Sequence, residues 1–142
     1  MGRGDRRRIK PPRVTEAARV GSHAAPVEGS TNSDRPSFDL QFLGGDFCLT
    51  RCDQELRAAF ADTLHRLSQL TWEQICLAPR YGLGFETIPR EAIRAKLPAH
   101  VTEDVRPIAF RFAGKRPMLG YRRGRLFVVL FLDRDFTLYD HG

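Results

Sequence analysis

Residues 107–142 read PIAFRFAGKRPMLGYRRGRLFVVLFLDRDFTLYDHG, and the patterning of this stretch decides the fold. Ile108, Phe110 and Phe112 alternate with Ala109, Arg111 and Ala113, the period-two pattern of a strand with two unlike faces. Gly114-Lys115-Arg116-Pro117 turns the chain, and residues 118–122 form the next strand. Arg123-Gly124 suits a two-residue hairpin turn. Residues 126–132 are apolar at every position, which marks a central strand covered on both faces. Asp133-Arg134-Asp135 turns once more, and residues 136–139 are expected to close the meander as a last strand.

Upstream, the period changes. Phe38, Leu40 and Phe42 alternate with Asp39 and Gln41, a half-buried strand that stops at Gly44-Gly45-Asp46. Asp53 is a good N-cap, and Leu56, Phe60, Leu64 and Leu67 recur at helical spacing behind it. Thr71-Trp72-Glu73-Gln74 fits a capping box, so a second, short helix begins there and ends before Pro79. Residues 83–88 suit a short strand, and Pro89 opens a brief helix over 90–96 that Pro98 stops. The fold expected is α+β: two helices packed on one face of a small antiparallel sheet.

Residues 1–36 hold one isoleucine and no aromatic residue, too little apolar surface to offset chain ordering, and are expected to be a disordered basic tail. Residues 37–142 form the single folded domain. Charge is uneven: +4 over residues 1–36, −3 over 37–105 and +5 over 106–142. Such an asymmetry suits an anionic partner such as nucleic acid, and fits an acidic protein partner or a solvated surface with no partner as well. No apolar run is long enough to span a bilayer, and the charged N-terminus lacks the apolar stretch of a secretory signal, so a cytoplasmic location with no membrane association is expected. Cys48 and Cys52 have a C-x3-C spacing, yet no second ligand pair completes a zinc site, and free thiols are expected. No phosphate-binding glycine loop calls for a nucleotide cofactor. Asp133 and Asp135 read as turn residues and not as a metal-binding pair, so neither metal nor cofactor is expected.

RNA can be cut without a metal when a base removes the 2′-hydroxyl proton, a cation stabilises the phosphorane and an acid protonates the leaving oxygen. The C-terminal meander supplies all three residue types. Arg111 and Arg122 are expected to share one face across a hairpin and to bind phosphate. Tyr139 and His141 are the candidate proton carriers, the imidazole being suited to transfer near neutrality. Lys115, Arg116, Arg123 and Arg125 add basic contacts for RNA.

In order and residues the chain resembles the RelE/ParE toxin superfamily, including its HigB-like and YoeB-like ribonucleases. The resemblance rests on Phe110-Arg111-Phe112, Gly120-Tyr121-Arg122, the apolar strand 126–132 and Leu138-Tyr139-Asp140-His141. It covers about residues 37–142. What it implies is the toxin of a toxin–antitoxin pair that cleaves messenger RNA, often on the ribosome, and is silenced by an antitoxin protein. Arg111 and Arg122 would then be the phosphate-binding cations, and Tyr139 or His141 the C-terminal acid or base. The excursion over 80–107 and the tail depart from the family pattern. The alternative is a non-catalytic nucleic-acid- or protein-binding module on the same fold, such as a gyrase-directed or degenerate toxin.

Overall fold

A computed structural model describes residues 30–140; Thr31 already belongs to the compact unit of the C-terminal region. The expected tail over 1–36 falls outside the described residues except for its last seven. The elements in chain order are β1 (Ser37–Asp39), α1 (Gln54–Leu67), α2 (Trp72–Leu77), β2 (Phe85–Thr87), β3 (Pro107–Ala113), β4 (Arg116–Arg123) and β5 (Leu126–Leu132). Short 3-10 turns lie between them. The architecture is α+β, with a five-stranded sheet in the order β1-β5-β4-β3-β2.

The two helices form where their local signals place them. Asp53 caps α1 by accepting a hydrogen bond from the Leu56 amide at 2.9 Å. The capping box of α2 is complete: the Gln74 amide donates to Thr71 Oγ1, and the Thr71 amide donates to Gln74 Oε1. Helix α1 buries Phe60, Thr63 and Leu67, and α2 buries Trp72 and Ile75, against Ile108, Phe110, Phe112, Met118, Phe127, Val129 and Leu132 of the sheet.

The sheet differs from the expected antiparallel one in three respects. It is mixed, because β1 runs parallel to β5, with Ser37, Phe38 and Asp39 opposite Leu126, Phe127 and Val128. This strand is also shorter than its alternation suggested, since beyond Asp39 the chain turns away and leaves Leu40 and Phe42 part-exposed. Residues 136–139 form no strand; Phe136 and Thr137 stay exposed after a turn, and Leu138 and Tyr139 pack on the sheet. The helix expected over 90–96 is a single 3-10 turn, Arg90–Ala92.

The hairpin loops are Gly114-Lys115 and Gly124-Arg125, one residue later than expected for the second. Each has a positive φ at its first position, +60° and +63°, the geometry that brings two strands back with matching twist. Two bulges interrupt the ladders. One follows Arg111, where Phe112 has no partner on β4; the other puts both Leu130 and Phe131 on one face of β5. Thr63 uses the first bulge, its hydroxyl donating to the Phe112 carbonyl at 3.0 Å.

The second face of the sheet is covered too. Ile88, Val101, Leu138 and Tyr139 join Ala109, Leu119, Tyr121, Val128, Leu130 and Phe131 in a second core, with Ala92, Ile93, Leu97 and Val105 at its edge. Residues 88–105 of the 80–107 excursion are therefore a structural cover for the central strand, which explains why β5 is apolar throughout. His100 bonds to the Tyr121 hydroxyl at 3.0 Å and stacks on Phe42, with ring centroids 4.2 Å apart. Among the described residues, no helix is long and apolar enough to cross a membrane.

Candidate functional site

The C-terminal segment is set on the sheet by Asp133. Its carboxylate is fully buried and accepts from the amides of Thr137 at 2.8 Å and Leu138 at 3.0 Å. The Leu138 carbonyl in turn accepts from the Arg94 amide at 2.8 Å. These bonds fold residues 134–138 into a tight turn and lay Tyr139, only 6% exposed, across the second face. Asp133 thus acts in the turn that the Asp-Arg-Asp spacing suggested.

Tyr139 lines a cavity of about 310 Å³ together with Arg80, Glu86, Arg111, Lys115, Phe136 and Asp140. Strand register explains the grouping. Glu86 pairs with Ala109 across β2 and β3, and Arg111 lies two residues further along β3, so all three side chains point to the second face. Lys115 reaches in from the exposed tip of the β3–β4 loop. Arg80 comes from the turn after α2, closed by the amides of Gly82 and Gly84 donating to the Pro79 carbonyl, and pairs with Glu86.

Three cationic side chains therefore share a concave site with two carboxylates, Glu86 and Asp140, and a phenol. Burial, followed by the charges of Glu86 and Asp133, pushes the Tyr139 phenol up to about 12, against a smaller opposing effect of Arg111 and Arg80. The hydroxyl keeps its proton at neutral pH and can donate it.

The structure brings Arg111 and Tyr139 together and separates Arg122 from them. Arg122 pairs with Phe127 on β5 and faces the helices. Its guanidinium lies 4.3 Å over the Trp72 ring. Its Nε donates to the Gly124 carbonyl at 2.7 Å, and Nη2 donates to Thr31 Oγ1 at 2.9 Å and Asn32 Oδ1 at 2.8 Å. Burial lowers its pKa. The shared face expected for Arg111 and Arg122 is overturned by the bulge at Phe112. With an unbroken ladder behind the Gly114-Lys115 loop, Arg122 would have pointed with Arg111; one extra residue in β3 reverses that parity.

The other basic residues are dispersed. Arg116 is held in place, its Nε donating to the Arg134 carbonyl at 2.8 Å. Arg123 and Arg125 are exposed around the far hairpin, away from the cavity-lining set. His141 lies outside the described residues. Among those described, no group of three or more His, Cys, Asp or Glu side chains could hold a metal ion. Cys48, Cys52 and Cys76 are free thiols, and burial raises that of Cys52 in the helix-side core.

Arg80 and Glu86 are the site residues the sequence did not single out. The alternation around Glu86 was visible, but its meeting with Arg111 depends on β2 pairing with β3, over twenty residues away in sequence. Comparison with protein-family models, curated proteins and solved structures finds no match to this chain.

Proposed function

We propose that this chain is a RelE-like endoribonuclease, the toxin of a toxin–antitoxin pair acting on messenger RNA, and that the Arg111–Tyr139 cavity receives the scissile phosphodiester. One observation carries the reading: Arg80, Arg111 and Lys115 line the same cavity as the Glu86 carboxylate and the protonated Tyr139 phenol. That set contains the cation, base and acid that 2′-hydroxyl attack requires. Arg111 and Lys115 hold the non-bridging phosphate oxygens and offset the charge of the phosphorane. Glu86, oriented by Arg80, takes the 2′-hydroxyl proton as the 2′-oxygen bonds to phosphorus. The bond from phosphorus to the 5′-oxygen breaks, and Tyr139 gives that oxygen its proton. Solvent returns the proton from Glu86 to Tyr139. The products are a 2′,3′-cyclic phosphate and a 5′-hydroxyl. The mRNA target and the antitoxin partner come from the family resemblance, and the cytoplasmic setting from the sequence reading.

The test is incubation of purified protein with single-stranded RNA in EDTA, with and without ribosomes, followed by end-group analysis. Wild type is expected to leave cyclic phosphate ends, and Arg111→Ala and Glu86→Gln to leave RNA intact. Induced expression should arrest growth, with relief by either variant. RNA that is bound but stays whole under all these conditions would replace the enzyme with a binding module.

A further inference from the structure

Phe136 is the one non-glycine residue with a positive φ among those described, at +60°. A bulky side chain is a strained choice there, where glycine or asparagine would sit at ease. The strain gains no deep burial, for the ring remains 40% exposed. It holds the ring at the rim of the cavity, beside Arg111, Lys115 and Tyr139. The Arg116 guanidinium lies over the ring, 5.7 Å from its centroid, and is itself fixed by the bond to the Arg134 carbonyl. A steered aromatic surface next to a cluster of cations is the arrangement by which single-stranded nucleic acid is held: the cations take the backbone and the ring takes a base.

We propose that Phe136 is a nucleobase-stacking platform, so that the cavity binds single-stranded RNA through a phosphate at Arg111 and Lys115 and a neighbouring base on this ring. The inference rests on the RNA-cleaving reading and adds to it a determinant of substrate recognition. Stacking on an aromatic ring tolerates any base, so the residue selects unpaired over duplex RNA and imposes little sequence preference.

The test measures binding by fluorescence anisotropy, using a 2′-O-methyl oligonucleotide that cannot be cleaved and an abasic sugar–phosphate chain of the same length and charge. Phe136→Gly should weaken binding of the base-bearing chain by roughly 5- to 100-fold and leave the abasic chain nearly unchanged. Phe136→Trp should bind the base-bearing chain at least as well as wild type. Glycine suits the backbone here, so the variant should keep its urea midpoint; Phe136→Asn, also at ease at positive φ, is the second ring-free variant. Equal losses on both chains, or no loss on either, would overturn the stacking role, and so would a Trp variant as weak as the Gly variant. Arg111→Ala keeps the two proposals apart. If it weakens both chains while the ring variants do not discriminate them, only the stacking role falls. If it weakens neither, the phosphate site falls as well.

Discussion

Replacing Arg122 with alanine should damage stability and spare RNA binding, the reverse of what its place in the sequence suggests. The side chain makes three hydrogen bonds, of 2.7, 2.9 and 2.8 Å, and stacks 4.3 Å from the Trp72 ring. Each hydrogen bond contributes about 0.5–1.5 kcal/mol net, and the cation–π contact about 0.5–1 kcal/mol at a partly exposed site. Water replaces part of this when the side chain is removed, so the lower half of the sum applies, about 2–3 kcal/mol. At a urea slope of about 1.5–2 kcal/mol per molar, the midpoint should fall by about 1–2 M. Trp72 is the sole tryptophan and lies under the guanidinium, so its fluorescence reports the transition and the local loss together. Affinity for a non-cleavable oligoribonucleotide should stay within about twofold of wild type, because the residue faces the helices and not the cavity. Arg111→Ala should show the opposite pair of results. An unchanged urea midpoint in Arg122→Ala, or an affinity loss matching that of Arg111→Ala, would refute the assignment.

Other substitutions probe the frame around the cavity. A Cβ at Gly120 would sit 2.0 Å from the Val128 carbonyl oxygen and 2.8 Å from the Phe127 ring; Gly120→Ala should cost more than about 3 kcal/mol, seen as loss of cooperative unfolding by circular dichroism. Asp133→Ala strips one part-buried and one buried amide of their acceptor and should destabilise by about 2–4 kcal/mol, with faster hydrogen exchange at Thr137 and Leu138 as the local readout. Tyr139 has a folded pKa of about 12, above its ordinary 10.0. The stabilisation from keeping it neutral is fully present below pH 10 and is lost as pH climbs towards 12. Tyrosinate absorbance should therefore show a late-titrating phenol that Tyr139→Phe removes, and a titration curve unchanged in that variant would contradict the assignment.

Local signals were legible and long-range ones were not. Asp53, the Thr71–Gln74 box and the apolar spacing of Phe60 and Leu67 act within one or two turns of chain, so both helices could be read directly. The apolar run of β5 announced a strand covered on both faces, but not that residues 88–105 supply one of the covers. Residues 136–139 have the composition of a strand, yet the buried Asp133 carboxylate ties the Thr137 and Leu138 amides into a turn. Arg111 and Tyr139, both singled out in the sequence, line one cavity. Arg122 was assigned to it because period-two counting assumes an unbroken ladder, and nothing in Phe110-Arg111-Phe112 announces a bulge. Glu86 and Arg80 join the site only through a pairing between distant segments.

The unpaired Phe112 has a meaning for how this meander can vary. Deleting it would act on the sheet as a frameshift acts on a message: every side chain on one flank would exchange sides relative to the other. Arg111 and Arg122 would come to one surface, while Trp72 would lose its cation and the 31–32 segment its anchor. A one-residue gap here should therefore be far less tolerated than an insertion in either hairpin loop, and any alignment of related chains should be anchored at this position before arginines are compared.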